Sequence, residues 1–188
     1  MLNQGMLDRI IRVIRLDQTV FAEIEKDENA TVQAFIIVLV TSFLSALGSG
    51  FGAMNRFFLA FLGTFVMGII GWVLWSFITL WIGTKLYDGK SDLTEMMRNI
   101  GYANAPRLLG LFAFIPCVGP LISLAGAILS LVAAFYGIRQ ALELDTTKTI
   151  ATVVIGWVVV LVISLIVGAL FAGTALTLGA IGSMLGGG

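Results

Sequence analysis

The chain has 188 residues, 59% of them hydrophobic and 12% charged; its 11 Lys and Arg balance 11 Asp and Glu, and the mean hydropathy is +1.02. A soluble domain carries roughly 45–50% apolar and about 25% charged residues, so this composition predicts an integral membrane protein. A single cysteine, Cys117, excludes an internal disulfide and any multi-thiolate metal site, and the lack of histidine removes the commonest residue of zinc, haem and triad chemistry.

At the start of the chain, Asp8, Arg9, Arg12 and Arg15 break up any apolar region of a cleavable signal peptide. In MLDRIIRVIRL, Met6, Ile10, Val13 and Ile14 recur at helical spacing, with Arg9, Arg12 and Arg15 towards the other side. This pattern predicts an amphipathic helix lying on the membrane surface. The three guanidiniums are candidate contacts for lipid headgroups, at about 1 kcal/mol each near an anionic leaflet. The acidic stretch EIEKDE that follows repels the same lipids. Residues 1–28 are thus a cytosolic amphipathic segment, serving either as a topogenic anchor or in lipid or protein recognition.

Four uncharged runs follow, at 29–55, 57–84, 108–138 and 149–188. Each exceeds the roughly 20 residues needed for a transmembrane helix, and none shows the alternation of a membrane barrel. As one straight helix the third run would reach about 46 Å, against a hydrocarbon core of about 30 Å. Within IPCVGPLI, Pro116 removes a helix hydrogen bond, Gly119 tolerates positive φ and Pro120 suits a first helical turn, so this stretch reads as a turn between two spans. The expected fold is all-α: a membrane domain over 29–172 with five spans, at 31–53, 57–84, 103–115, 120–138 and 149–172, then a weakly ordered glycine-rich tail at 173–188.

Short cytosolic loops are enriched in Lys and Arg. Five crossings with a cytosolic N-terminus place Arg9, Arg12, Arg15, Lys26, Lys85, Lys90, Arg98, Arg107, Arg139 and Lys148 inside and leave Arg56 outside. A single crossing of the third run moves Arg139 and Lys148 outside. A shallow hairpin that enters and leaves on the cytosolic side satisfies the same count, so an incomplete third span stays open. Trp81, Tyr87, Tyr102, Tyr136 and Trp157 fall near cytosolic span ends, as interfacial aromatics do, whereas Trp72 and Trp75 are expected inside the bundle.

The longest polar segment between spans is KLYDGKSDLTEMMRNIGYANAPRL. Ser91 or Asp92 can cap a short helix, Glu95 falls in its first turn and Gly101 can end it. Leu93, Met96, Met97 and Ile100 then share one apolar face, which packs on the bundle or fits a partner groove. Arg107 borders an uncharged run, as a functional site or as a side chain snorkelling to the headgroups. Small residues recur at four-residue intervals (Ser42, Ala46, Gly50; Ala60, Thr64, Gly68; Gly119, Ser123, Ala127; Ser164, Gly168, Ala172), which predicts close helix packing in a bundle or an oligomer.

No Asp, Glu, Lys or His lies within a predicted span, so the relay of an ion-coupled pump is missing. Phosphate-loop, metalloprotease and nucleophile-elbow motifs are absent as well. The expectation is a protein that is no enzyme, with no cofactor, no metal and no nucleic-acid partner.

Several features in order resemble the Yip-one domain family of Ypt/Rab-interacting membrane proteins, and particularly its prokaryotic branch. They are TVFAEIEKDENATVQAF before the first span, GYANAPRLL with Gly101, Tyr102 and Pro106, IPCVGPLI at the turn, and the basic loop around Lys148. The resemblance implies a five-span membrane fold and, from eukaryotic members, a link to Rab-type GTPases and vesicle budding. Those members carry D-L-Y-G-P ahead of the first span; FAEIEKD stands in its place here, which argues against GTPase binding.

The expected function is a scaffold or adaptor in the cytoplasmic membrane of a prokaryote, binding proteins or lipid headgroups through its cytosolic face. Gly101, Tyr102, Pro106 and Arg107 form its candidate interaction motif. The alternatives are an accessory subunit of a larger membrane complex, or a small channel or permease. A homo-oligomer fits either of the first two.

Overall fold

The computed structural model describes residues 4–112 and 118–185, with side chains for 5–112, 118–163, 165 and 166. The described residues form seven α-helices: α1 (Gln4–Ile14), α2 (Thr19–Lys26), α3 (Ala30–Gly52), α4 (Phe57–Tyr87), α5 (Leu93–Ala103), α6 (Gly119–Ala141) and α7 (Thr146–Leu185). Short 3-10 segments join α3 to α4 (Met54–Arg56) and follow α5 (Ala105–Phe112). The helix of α7 continues through 173–185, where glycine content predicts a weakly ordered tail.

Four helices are long and apolar enough to cross a membrane: Ala30–Gly52, Met54–Tyr87, Gly119–Ala141 and Thr146–Ile163. Their outer faces are apolar too, with Phe58 83% and Leu59 70% exposed on α4, as expected of helices that face lipid. The expected span at 103–115 is not among them. The α-helix stops at Ala103 and the chain continues as a 3-10 helix. Pro106 explains the break, since it has no N–H to give the Tyr102 carbonyl and it restricts the residue before it. Residues 113–115, Pro116 and Cys117 lie outside the described residues. Pro120 sits in the first turn of α6, as its chemistry predicts.

One end of the bundle gathers most of the polar chain. Gln140, next to the end of α6, donates to Glu25 at 3.1 Å, and the Lys90 N–H donates to the Leu142 carbonyl at 3.1 Å. Arg98 on α5 donates from Nη1 to the Glu25 carbonyl at 2.6 Å and from Nε to Thr31 at 2.7 Å. The start of α3, the connection after α4, the end of α6 and the start of α7 therefore share this end with α1 and α2. We call it the cap. Arg139 and Lys148 lie on the same end as the N-terminal cations, the grouping on which the charge count rests.

The core lies under the cap, where Phe21, Ile24, Met96, Tyr102, Ile138 and Leu142 are fully buried. Towards the far end small residues bring the spans together. A Cβ on Gly68 would stand 2.5 Å from the Ser42 hydroxyl, and one on Gly50 would stand 2.8 Å from the Phe57 ring. Both contacts are between α3 and its neighbour α4, so these parts of the small-residue stripes serve the fold of one chain. Trp72 is buried and donates to the Met97 carbonyl at 3.1 Å, and Trp75 meets Trp157 edge-on at 6.3 Å, so both tryptophans expected inside the bundle are there.

Candidate functional site

The N-terminal helix forms as its periodicity predicts, but the bundle takes most of its apolar face. Met6 and Val13 are buried in the core, Ile10 packs partly against it, and Leu7 and Ile11 remain 49% exposed. Two of the three candidate headgroup-binding arginines are engaged within the cap. Arg9 donates to Asp27 at 2.6 Å and to Gln33 at 3.4 Å. Arg12 donates to Asp17 at 2.8 Å, Glu23 at 2.8 Å and Thr19 at 3.0 Å. Arg15 is exposed one turn beyond Ile11.

These pairs set the acidity of their carboxyls. The Thr19 hydroxyl and then the Arg12 guanidinium hold Asp17 down to about 2. Asp27 is lowered chiefly by its hydrogen bond from Arg9, and Glu23 by that from Arg12. Glu25 moves the other way, pushed up by burial against a smaller opposing effect of the Gln140 hydrogen bond. The acidic stretch EIEKDE thus supplies partners for two of the N-terminal arginines, Asp27 for Arg9 and Glu23 for Arg12.

Helix α5 starts as its sequence predicts. The Asp92 carboxylate accepts from the Glu95 N–H at 2.8 Å, and Glu95 accepts in return from the Asp92 N–H at 3.1 Å, a reciprocal capping box. Met96 and Ile100 are buried, so this face packs on the bundle. Gly101 does not end the helix, which runs to Ala103 with no positive φ at Gly101. Its role is close approach: a Cβ there would stand 2.6 Å from the Ala34 Cβ and 3.2 Å from the Ala34 Cα.

Tyr102 is fully buried and its hydroxyl donates to the Gln33 side chain, the same oxygen that Arg9 reaches. It is an internal tie between α5 and α3, and its expected interfacial position is corrected. Pro106 is buried too, and its carbonyl lies 2.7 Å from where a Cβ on Gly126 would be, so the 3-10 helix rests against α6. Ser130 on α6 donates to the Ala103 carbonyl at 2.6 Å, satisfying an acceptor at the α5 break. The motif therefore divides: Gly101, Tyr102 and Pro106 hold α5 and its extension in place, and Arg107 alone is exposed, into two cavities.

Sequence reasoning did not single out Gln33, Asp27, Asn99 or Ser130. Gln33 had a visible signal, as a polar residue opening an apolar run. Asn99 is fully buried, and neither atom of its amide has a hydrogen-bond partner among the described residues.

Residues 11–169 match the family model of the Yip1 domain. No curated protein and no solved structure matches the chain significantly.

Proposed function

Because the chain belongs to the Yip1 domain family and is a multi-pass integral membrane protein, we propose that it is a non-enzymatic scaffold or adaptor that binds proteins or lipid headgroups through its cap. In this reading the cap faces the cytosol of a prokaryotic cell, and the chain crosses the cytoplasmic membrane five times. The third crossing is made jointly by α5 and the 3-10 helix. Chain direction supports that count: α5 starts at the cap and α6 returns to it, so the intervening segment has to reach the start of α6, about 34 Å away at 1.5 Å per residue.

The observation that carries the proposal is the cross-braced cap. Arg9, Arg98 and Tyr102 tie α1, α2, α3 and α5 together through Asp27, Gln33, Glu25 and Thr31, so the exposed surface is presented on a rigid base. That surface includes Leu7 and Ile11 on α1, Arg15 in the turn just after it, and a groove of about 370 Å³ lined by Gln18, Tyr136, Arg139 and Glu143. An apolar pair flanked by the exposed Arg15 guanidinium suits the membrane interface, and the mixed-charge groove suits a polar protein segment.

A photocrosslinker placed at Gln18 in native membranes tests this. It is expected to give discrete protein adducts, whereas a probe at Phe58 gives lipid adducts. Identical adduct patterns from the two positions would remove the basis for a cap-directed scaffold.

A further inference from the structure

We propose that Arg107 anchors an internal binding site for a phosphate-type oxyanion, held midway along the helices. With Asn104, Ile100 and Trp75 it lines two cavities at once. One, of about 240 Å³, lies towards α6 and α7 and includes Ser130 and Trp157. The other, of about 590 Å³, lies towards α3 and α4 and includes Thr41, Ser42, Ser45 and Thr64. This site is separate from the cap surface and does not rest on the scaffold reading.

Depth makes the guanidinium unusual. Thr41 and Ser45 lie 11 and 15 residues from the start of α3, Ser130 and Ala127 lie 11 and 14 from the end of α6, and Trp157 and Val160 lie 11 and 14 from the start of α7. At 1.5 Å per residue these linings lie about 16–22 Å from the cap ends of α3, α6 and α7, although the smaller cavity also extends to Ile138, 3 residues from the end of α6. The Pro106 carbonyl beside Arg107 rests against Gly126, 15 residues from that end, which puts the Arg107 backbone well inside a hydrocarbon core of about 30 Å.

Charge makes it incomplete. All Asp and Glu side chains of the chain fall within residues 8–28, 88–95 and 143–145. Arg9 and Arg12 each have a carboxylate partner within 4 Å, and Arg98 has a carbonyl and a hydroxyl. Arg107 has no carboxylate that close and no side-chain hydrogen bond among the described residues. An arginine inside a membrane bundle is normally paired, and here the counter-charge has to come from outside the chain.

Cavity chemistry narrows the ligand. Thr41 already donates its hydroxyl proton to Ile37 and Val38, Ser45 to Thr41 and Ser130 to Ala103. These hydroxyls offer lone pairs, while Arg107 offers a fork of donors. The combination suits an oxyanion that carries its own O–H or N–H groups. Phosphate fits the guanidinium fork in bidentate fashion, either as a phospholipid headgroup drawn into the bundle or as the free anion.

The test is a phosphorus assay on the full chain, purified in mild detergent and washed until loosely held lipid is gone, alongside thermal unfolding titrated with inorganic phosphate. The wild type is expected to retain about one phosphorus per chain, or to be stabilised saturably by phosphate but not by chloride. Retained phosphorus that partitions into organic solvent identifies a lipid, and a water-soluble fraction or phosphate-dependent stabilisation identifies the free anion. Either signal should disappear in R107Q and fall in R107K, which keeps the charge and loses the fork. Should R107Q not fold, R107K decides by the same criterion. A wild type with neither signal, or variants that match it, would overturn the proposal.

Discussion

Replacing Gly101 by Ala measures what the glycine of the G-Y-x-x-x-P motif does. If Gly101 were an ordinary helical position, Ala would stabilise α5 by about 1 kcal/mol. The structure predicts the opposite sign. The added methyl would lie 2.6 Å from the Ala34 Cβ, 3.2 Å from its Cα and 3.3 Å from its carbonyl oxygen. None of these is the far end of a flexible side chain, so α5 and α3 have to separate. Overpacking costs about 1–3 kcal/mol, and rigid backbone neighbours place this site near the upper end. Offset by helix propensity, the net loss is about 1–2 kcal/mol, a change of roughly five- to thirtyfold in the unfolding equilibrium. Equilibrium unfolding of the purified protein in mixed detergent micelles reads it as a lowered transition midpoint. Gly48→Ala is the control, because nothing stands within 4 Å of a Cβ there, and it should be neutral or raise the midpoint. Adding Ala34→Gly to G101A removes the nearest atom and should recover part of the loss, with a coupling of about 1 kcal/mol in the double-mutant cycle. A G101A protein as stable as the wild type, or zero coupling, would refute the close-approach argument.

Two further tests concern the cap and its core. Asp17, Asp27 and Glu23 have lowered folded-state pKa values, so their contribution is present above the ordinary carboxylate range near 4 and is lost as pH falls through the folded values, about 2 for Asp17. Glu25, raised by burial, has the opposite sign and favours the folded cap as pH drops from neutral towards that range. Amide exchange in residues 4–27, corrected for intrinsic rate, should slow slightly from neutral pH to about 4.5 and then accelerate below about 4. Steady protection down to pH 2 would show that the ion pairs do not hold the cap. Replacing Asn99 by Leu removes a buried amide with no hydrogen-bond partner among the described residues and should stabilise the fold by about 1–3 kcal/mol, read as a raised unfolding midpoint. A lowered midpoint would show that the amide is satisfied by ordered water.

Composition and the long uncharged runs by themselves determined the helical membrane class and, through hydropathy, the spans of α3, α4, α6 and α7, because lipid requires every backbone group to be satisfied within the helix. Local chemistry also determined the capping box at Asp92 and the proline start of α6, which depend on neighbours within four residues. The order of motifs pointed to the Yip1 family. What tertiary structure decided are matters of partner choice between distant segments. Periodicity shows that Met6 and Val13 share a face, but a core and a lipid surface are equally apolar, and only packing shows that the core takes them. Likewise, charge pattern offered Arg9 and Arg12 to headgroups until Asp27, Asp17 and Glu23 were brought within reach. Gly101 and Tyr102 look like a helix stop and an interfacial ring in one dimension; Ala34 and Gln33, 67 and 69 residues away, turn them into a close-packed joint and an internal hydrogen bond. For Arg107, folding supplies two cavities lined with hydroxyls and, among the described residues, no carboxylate within 4 Å.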